Sequence, residues 1–96
     1  MIAGLYGRLA QLAPSPIVEL NRAVAVALAN DADEGLDLIA QIQGLDDYHL
    51  LHAARADLLR RLGRRDEAAG AYRRALLLAP NPVERAFLER RLSEVG

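Results

Sequence analysis

Residues 69–82, AGAYRRALLLAPNP, repeat the wording of residues 3–16, AGLYGRLAQLAPSP, with eight of fourteen positions identical and no gap. The second copy stands at a shift of 66 from the first, two units of 33. Self-similarity at such a period marks stacked helix pairs, each burying its apolar face only against its neighbours. The first copy is only the second half of a unit. The chain is therefore expected to begin inside a repeat, as a piece of a longer protein.

Composition points to one all-helical domain over residues 1–96. Ala, Leu and Arg dominate, Phe occurs once and Trp is absent, which are helix-forming choices. Ninety-six residues hold one core with little to spare. There is no cysteine, so disulfides and Cys-based metal sites are excluded, and a cytoplasmic location is expected. No apolar run approaches the roughly 20 residues that span a bilayer, and residues 1–13 lack a signal-peptide pattern; no membrane partner is expected. Net charge is −1, yet residues 1–48 hold two Arg and seven acids, and residues 49–96 hold ten Arg and six acids. Such asymmetry favours docking between modules or head-to-tail association.

Working outward from the repeat, the pattern predicts six helices. Ile2–Leu12 stops before Ala13-Pro14, because the residue ahead of proline is pushed out of the α region. Ser15 caps the second helix, with Pro16 in its first position. Asn30 to Asp33 forms a turn, and a third helix covers Glu34 to Gln43 with Gly44 as its stop. Asp46 or Asp47 is the expected cap of the fourth helix, which ends at Gly63. Asp66–Ala79 and Pro82 to Val95 complete the set. Short loops imply antiparallel neighbours.

Residues 49–82 resemble the tetratricopeptide repeat: Ala56, Leu59, Gly63, Ala68, Tyr72, Ala75 and Pro80 fall at its small, large, aromatic and closing positions. Small residues let helix axes approach while the aromatic fills the next groove. Shifting back by 33 gives a degenerate copy, at Ala23, Val26, Asn30, Gly35, Ile39 and Ile42. The resemblance implies an α-solenoid of a half repeat, two repeats and a capping helix. A narrower resemblance rests on SPIVELNRAVAVA (15–27) and on YHLLHAARADLLRRLGRRDEAAGAYRRALLLAPNPVERAFLERRL (48–92). These stretches are similar to the C-terminal tetratricopeptide-like extension of bacterial extracytoplasmic-function (ECF) RNA polymerase sigma factors. That resemblance implies a non-enzymatic regulatory domain whose partners are sigma regions 2 and 4 of the same chain and the polymerase core. Neither region lies within these residues, so direct DNA binding by this chain is not expected. A general tetratricopeptide scaffold and a basic nucleic-acid-binding helical module are the alternatives.

No catalytic constellation can be assembled. The two serines, Ser15 and Ser93, lack a base, and no Gly-rich phosphate loop is present; no cofactor is expected. His49 and His52 share a helix face but have no third ligand, so no metal is expected. The Arg-rich stretch from Arg60 to Arg74 is interleaved with acids, which predicts self-paired helix surfaces. The first helix of each unit is expected to line a groove. Its positions are Ile17, Leu20, Asn21, Val24 and Ala27, then Leu50, Ala53, Ala54, Asp57 and Arg60. The polar set that clamps a peptide carboxylate in some relatives is missing, with Leu50 and Ala54 at those positions. Asn21, Arg22, Tyr48, His52 and Arg55 are read either as buried hydrogen-bonding ties between units or as a partner-contact patch. Leu5, Leu9 and Leu12 are expected to expose an apolar face that is covered either by another copy, in self-association, or by missing chain.

Overall fold

Ser15 Oγ accepts from Ile17 N at 3.3 Å, and Pro16 opens the helix that follows. From that point the computed structural model, which describes residues 15–95, is all-α. Five helices follow one another: α1 Pro16–Ala29, α2 Ala32–Ala40, α3 His49–Arg61, α4 Arg65–Leu78 and α5 Pro82–Val95. There is no strand among the described residues. The expected helix at residues 2–12, with its apolar Leu5, Leu9 and Leu12 face, lies outside them.

The helix starts keep the period of 33. α1, α3 and α5 begin at Pro16, His49 and Pro82; α2 and α4 begin at Ala32 and Arg65. At α5 the start signal works as it does at α1, with Asn81 Oδ1 accepting from Glu84 N at 2.9 Å.

Three helix boundaries depart most from the sequence reading. α2 begins earlier because Asp31, not a later residue of the turn, caps it: Asp31 Oδ1 accepts from Glu34 N at 2.8 Å. It also stops earlier, since Ile42 and Leu45 leave the helical path to bury themselves in the core, and Gly44 takes φ +87° between them. Neither Asp46 nor Asp47 caps α3. Tyr48 is its N-cap and makes no side-chain capping bond. The Asp46 carbonyl instead accepts from His52 Nε2 at 2.7 Å, and the Asp47 carboxylate sits 3.6 Å from Arg74.

Adjacent helices pack in antiparallel pairs. Arg85, at the start of α5, donates to the Leu76 carbonyl near the end of α4 at 3.0 Å. Arg65, at the start of α4, donates to the Glu94 carbonyl at the end of α5 at 3.1 Å. Two clusters form the core. Leu20, Ala23, Ala27, Ile39, Ile42 and Leu45 meet Leu51 and Leu58 of α3. On the other side of α3, Ala56 and Leu59 meet Ala68, Ala69, Ala71, Tyr72 and Ala75 of α4 and Leu88 and Val95 of α5. Leu36 packs against both. Each fully buried large side chain contributes about 1.5–3 kcal/mol relative to exposure. In the first pair the axes approach closely at Gly35, where an added Cβ would overlap the Ala27 methyl and stand 3.0 Å from the Ala23 carbonyl oxygen.

Candidate functional site

α3 is central to the candidate site because it packs against both cores. It turns Ala56 and Leu59 towards α4 and leaves Asp57 and Arg60 at the margin of that contact, half-buried. Tyr72 of α4 is fully buried, and its hydroxyl emerges between those two side chains. The hydroxyl donates to Asp57 Oδ1 and accepts from Arg60 Nε at 3.3 Å, while Arg60 Nη2 stands 3.9 Å from the same carboxylate oxygen. Burial, reinforced by the bond to Asp57, pushes the phenol up to about 12. The hydrogen bond with Tyr72 raises Arg60 in turn. The phenol is thus protonated at neutral pH, and the three groups act as a tie between α3 and α4.

The second feature is a row of apolar residues in equal register. The starts of α3 and α5 approach each other, with His49 Nε2 3.9 Å from Glu84 Oε2. α1 meets α3 through Leu20 and Val24 on one helix and Leu51, Ala54 and Leu58 on the other. The second residue of each helix is Ile17, Leu50 and Val83, and these are 46%, 41% and 79% exposed. The three hold equivalent places at the period of 33, so each of these helix starts offers an exposed apolar side chain. Phe87, one turn beyond Val83, is also exposed, with the Arg91 guanidinium 5.2 Å over its ring.

The candidate residues read from the sequence do not all join this surface. Leu20 is only 4% exposed and belongs to the core, because α3 covers the side of α1 that carries it. Val24 and Ala53 are half-buried packing residues, one in each cluster, and Ala27 is buried. Leu50 is exposed, as a groove residue must be. Asn21, Arg22 and Arg55 are exposed and thus form no buried tie between units. Arg22 lines a recess of about 250 Å³ with Glu19, Leu38, Gln41 and Ile42. Tyr48 is half-buried, edge-on to His49 with ring centroids 5.6 Å apart. His52 makes its hydrogen bond within its own segment.

The chain is 39% identical over 93 residues to an uncharacterized protein of Rhizobium meliloti (strain 1021). The match covers 96% of this chain and 22% of that protein. The chain therefore spans about a fifth of the length of the curated relative it matches. No family model matches the chain, and no solved structure matches it.

The sequence alone marks Tyr72 as a packing aromatic and does not reveal the partners of its hydroxyl. The signal was present: Asp57 and Arg60 are one turn apart on α3 beside a tyrosine that has to bury its ring. The groove positions read from the sequence also stop short of Val83, which a further shift of 33 from Leu50 reaches. The interleaved charges pair only in part: Arg64 Nη2 lies 2.7 Å from Glu67, whose carboxyl is held below its ordinary range by that arginine, whereas Arg61 and Arg73 have no ion pair among the described residues. Among the described residues no group of three or more His, Asp or Glu side chains is placed to hold a metal ion.

Proposed function

We propose that this chain is a non-enzymatic protein-interaction domain with a tetratricopeptide-like α-solenoid fold, of the kind that extends ECF-type sigma factors at their C-terminus. It acts in the cytoplasm, where it contributes to transcription initiation by contacting sigma regions or the RNA polymerase core. The observation that carries the reading is the row Ile17, Leu50 and Val83, three apolar side chains left exposed at one register of α1, α3 and α5. A monomeric domain gains nothing by exposing large apolar groups in line, whereas a docking partner gains by covering them.

Three further features support it. Helix starts recur at a period of 33, as stacked helix pairs require. Small residues fill the closest helix crossings, with Ala23 and Ala56 fully buried at equivalent positions. A relative in which the matching stretch is 22% of the length fits a module carried by a longer protein. The link to transcription rests on the resemblance of residues 15–27 and 48–92.

The test is binding of the chain to purified bacterial RNA polymerase core, with and without Leu50→Asp. Leu50 is exposed, so the variant keeps its helical circular dichroism. Loss of one apolar contact and burial of a carboxylate weaken binding by tenfold or more, about 1.4 kcal/mol or above. Unchanged affinity in the folded variant removes the row from the interface, and absence of any binding to core polymerase removes the transcription reading.

A further inference from the structure

The segment directly ahead of α3 is held by both helices of the second pair. The Asp46 carbonyl accepts from His52 Nε2 of α3 at 2.7 Å, and the Asp47 carboxylate sits 3.6 Å from Arg74 of α4. In the first pair, the residues at a shift of 33 from His52 and Arg74 are Glu19 and Gln41. These two line a single recess of about 250 Å³, together with Arg22, Leu38 and Ile42. The place that a connecting segment takes on the second pair is thus a recess on the first.

The stretch equivalent to Asp46-Asp47 is Ala13-Pro14, which lies outside the described residues and adjoins α1 through Ser15. The chain enters the two helices by the same kind of step. Ser15 and Tyr48, the N-caps, are both extended, at φ −72°, ψ 131° and φ −96°, ψ 113°. The chemistry changes on both sides together. On the second pair a polar segment meets polar anchors, and alanines, Ala71 and Ala75, stand at the places of Leu38 and Ile42. On the first pair the segment is apolar, and the recess has the larger Leu38 and Ile42 for it to cover. A simple ion is not the fitting occupant, because Glu19 and Arg22 bring opposite signs to the same recess. We infer that the recess between α1 and the end of α2 is the seat of Ala13-Pro14. The first pair then holds the segment ahead of α1 as the second pair holds residues 46 and 47. None of Ile17, Leu50 and Val83 lines the recess, so the row is left open.

NMR of the isotope-labelled full chain tests it. The expected result is nuclear Overhauser contacts from Ala13 and Pro14 to Leu38 and Gln41, arising within one copy when labelled and unlabelled chains are mixed. A seated Ala13-Pro14 bond also gives one set of signals, whereas a free X-Pro bond adds a cis set of about 10–30%. Leu38→Asp puts a carboxylate under the apolar segment. In that variant the contacts to Gln41 disappear and the second set of signals emerges, while the α4 and α5 signals stay in place. Leu38→Ala, which keeps the site apolar, gives the same change in smaller measure, and circular dichroism verifies the fold of each. Absence of the contacts in the unsubstituted chain overturns the inference, as does a second set of signals at Ala13 there. So do contacts that arise between copies, or a folded Leu38→Asp chain that keeps both the contacts to Gln41 and the single set.

Discussion

Three positions compare the two helix pairs directly. In the first pair Val24, Ala27 and Ile39 occupy the places that Asp57, Arg60 and Tyr72 hold in the second, each shifted by 33. The first pair fills them with hydrocarbon: Ala27 and Ile39 are core residues, and Val24 packs against them. The second fills them with a hydrogen-bonded triad around a buried ring. Equal backbone periods therefore tolerate opposite chemistry at the helix contact, provided every polar group at that contact is satisfied. Where the first pair uses Gly35 to bring its helices together, the second has the fully buried Ala68, one methyl larger.

The largest expected effect follows from removing the ring on which the second pair is built. Tyr72→Ala leaves a cavity between α3 and α4 and removes the hydroxyl that bonds Asp57, costing about 3–5 kcal/mol in urea-melt stability. A loss below about 1 kcal/mol would mean that the alanine-rich contact is held by something other than this side chain. Next comes Gly35→Ala in the first pair. Its new methyl overlaps that of Ala27, and the expected loss is about 1–3 kcal/mol despite the better helix propensity of alanine. Smallest is Tyr72→Phe, which keeps the ring and deletes the hydroxyl, at about 1 kcal/mol near neutral pH.

The same hydroxyl makes the second pair sensitive to alkali. Its folded pKa, about 12, lies above the ordinary value of 10, so the folded state binds the proton more tightly than the unfolded state does. That contribution is fully present below pH 10 and is lost as the pH rises from about 10 to about 12. Tyr72→Phe should flatten this part of a stability-against-pH curve, whereas the first pair, with Ile39 at the equivalent place, contributes nothing to it.

Much of the helical layout was legible because its boundaries are set by local chemistry. Ser15-Pro16 and Asn81-Pro82 announce helix starts through a capping side chain and a proline that has no N–H to lose, and both starts are present. The boundaries of α2 and α3 were harder to read for a tertiary reason. Ile42 and Leu45 are drawn out of helical geometry by burial against α1 and α3, and His52 takes the Asp46 carbonyl while Arg74 takes the Asp47 carboxylate. Local propensity carries no record of those partners. The candidate surface was half legible for the same reason. Ile17 and Leu50 could be placed on one register from the period alone, but Leu20 sits on that face too and is buried because α3 lies over it. A tyrosine in an alanine-rich helix reads as packing, and only the position of α3 reveals the acceptor and donor waiting for its hydroxyl.

Docking at the aligned helix starts is tested most directly by amide NMR of the isotope-labelled chain during titration with purified RNA polymerase core. The expected result is selective loss of signal at Ile17, Leu50, Val83 and Phe87 and their immediate neighbours, with the α4 amides around Arg73 and Leu77 spared. Signal loss concentrated on α4, or none at any ratio of polymerase to chain, would contradict it.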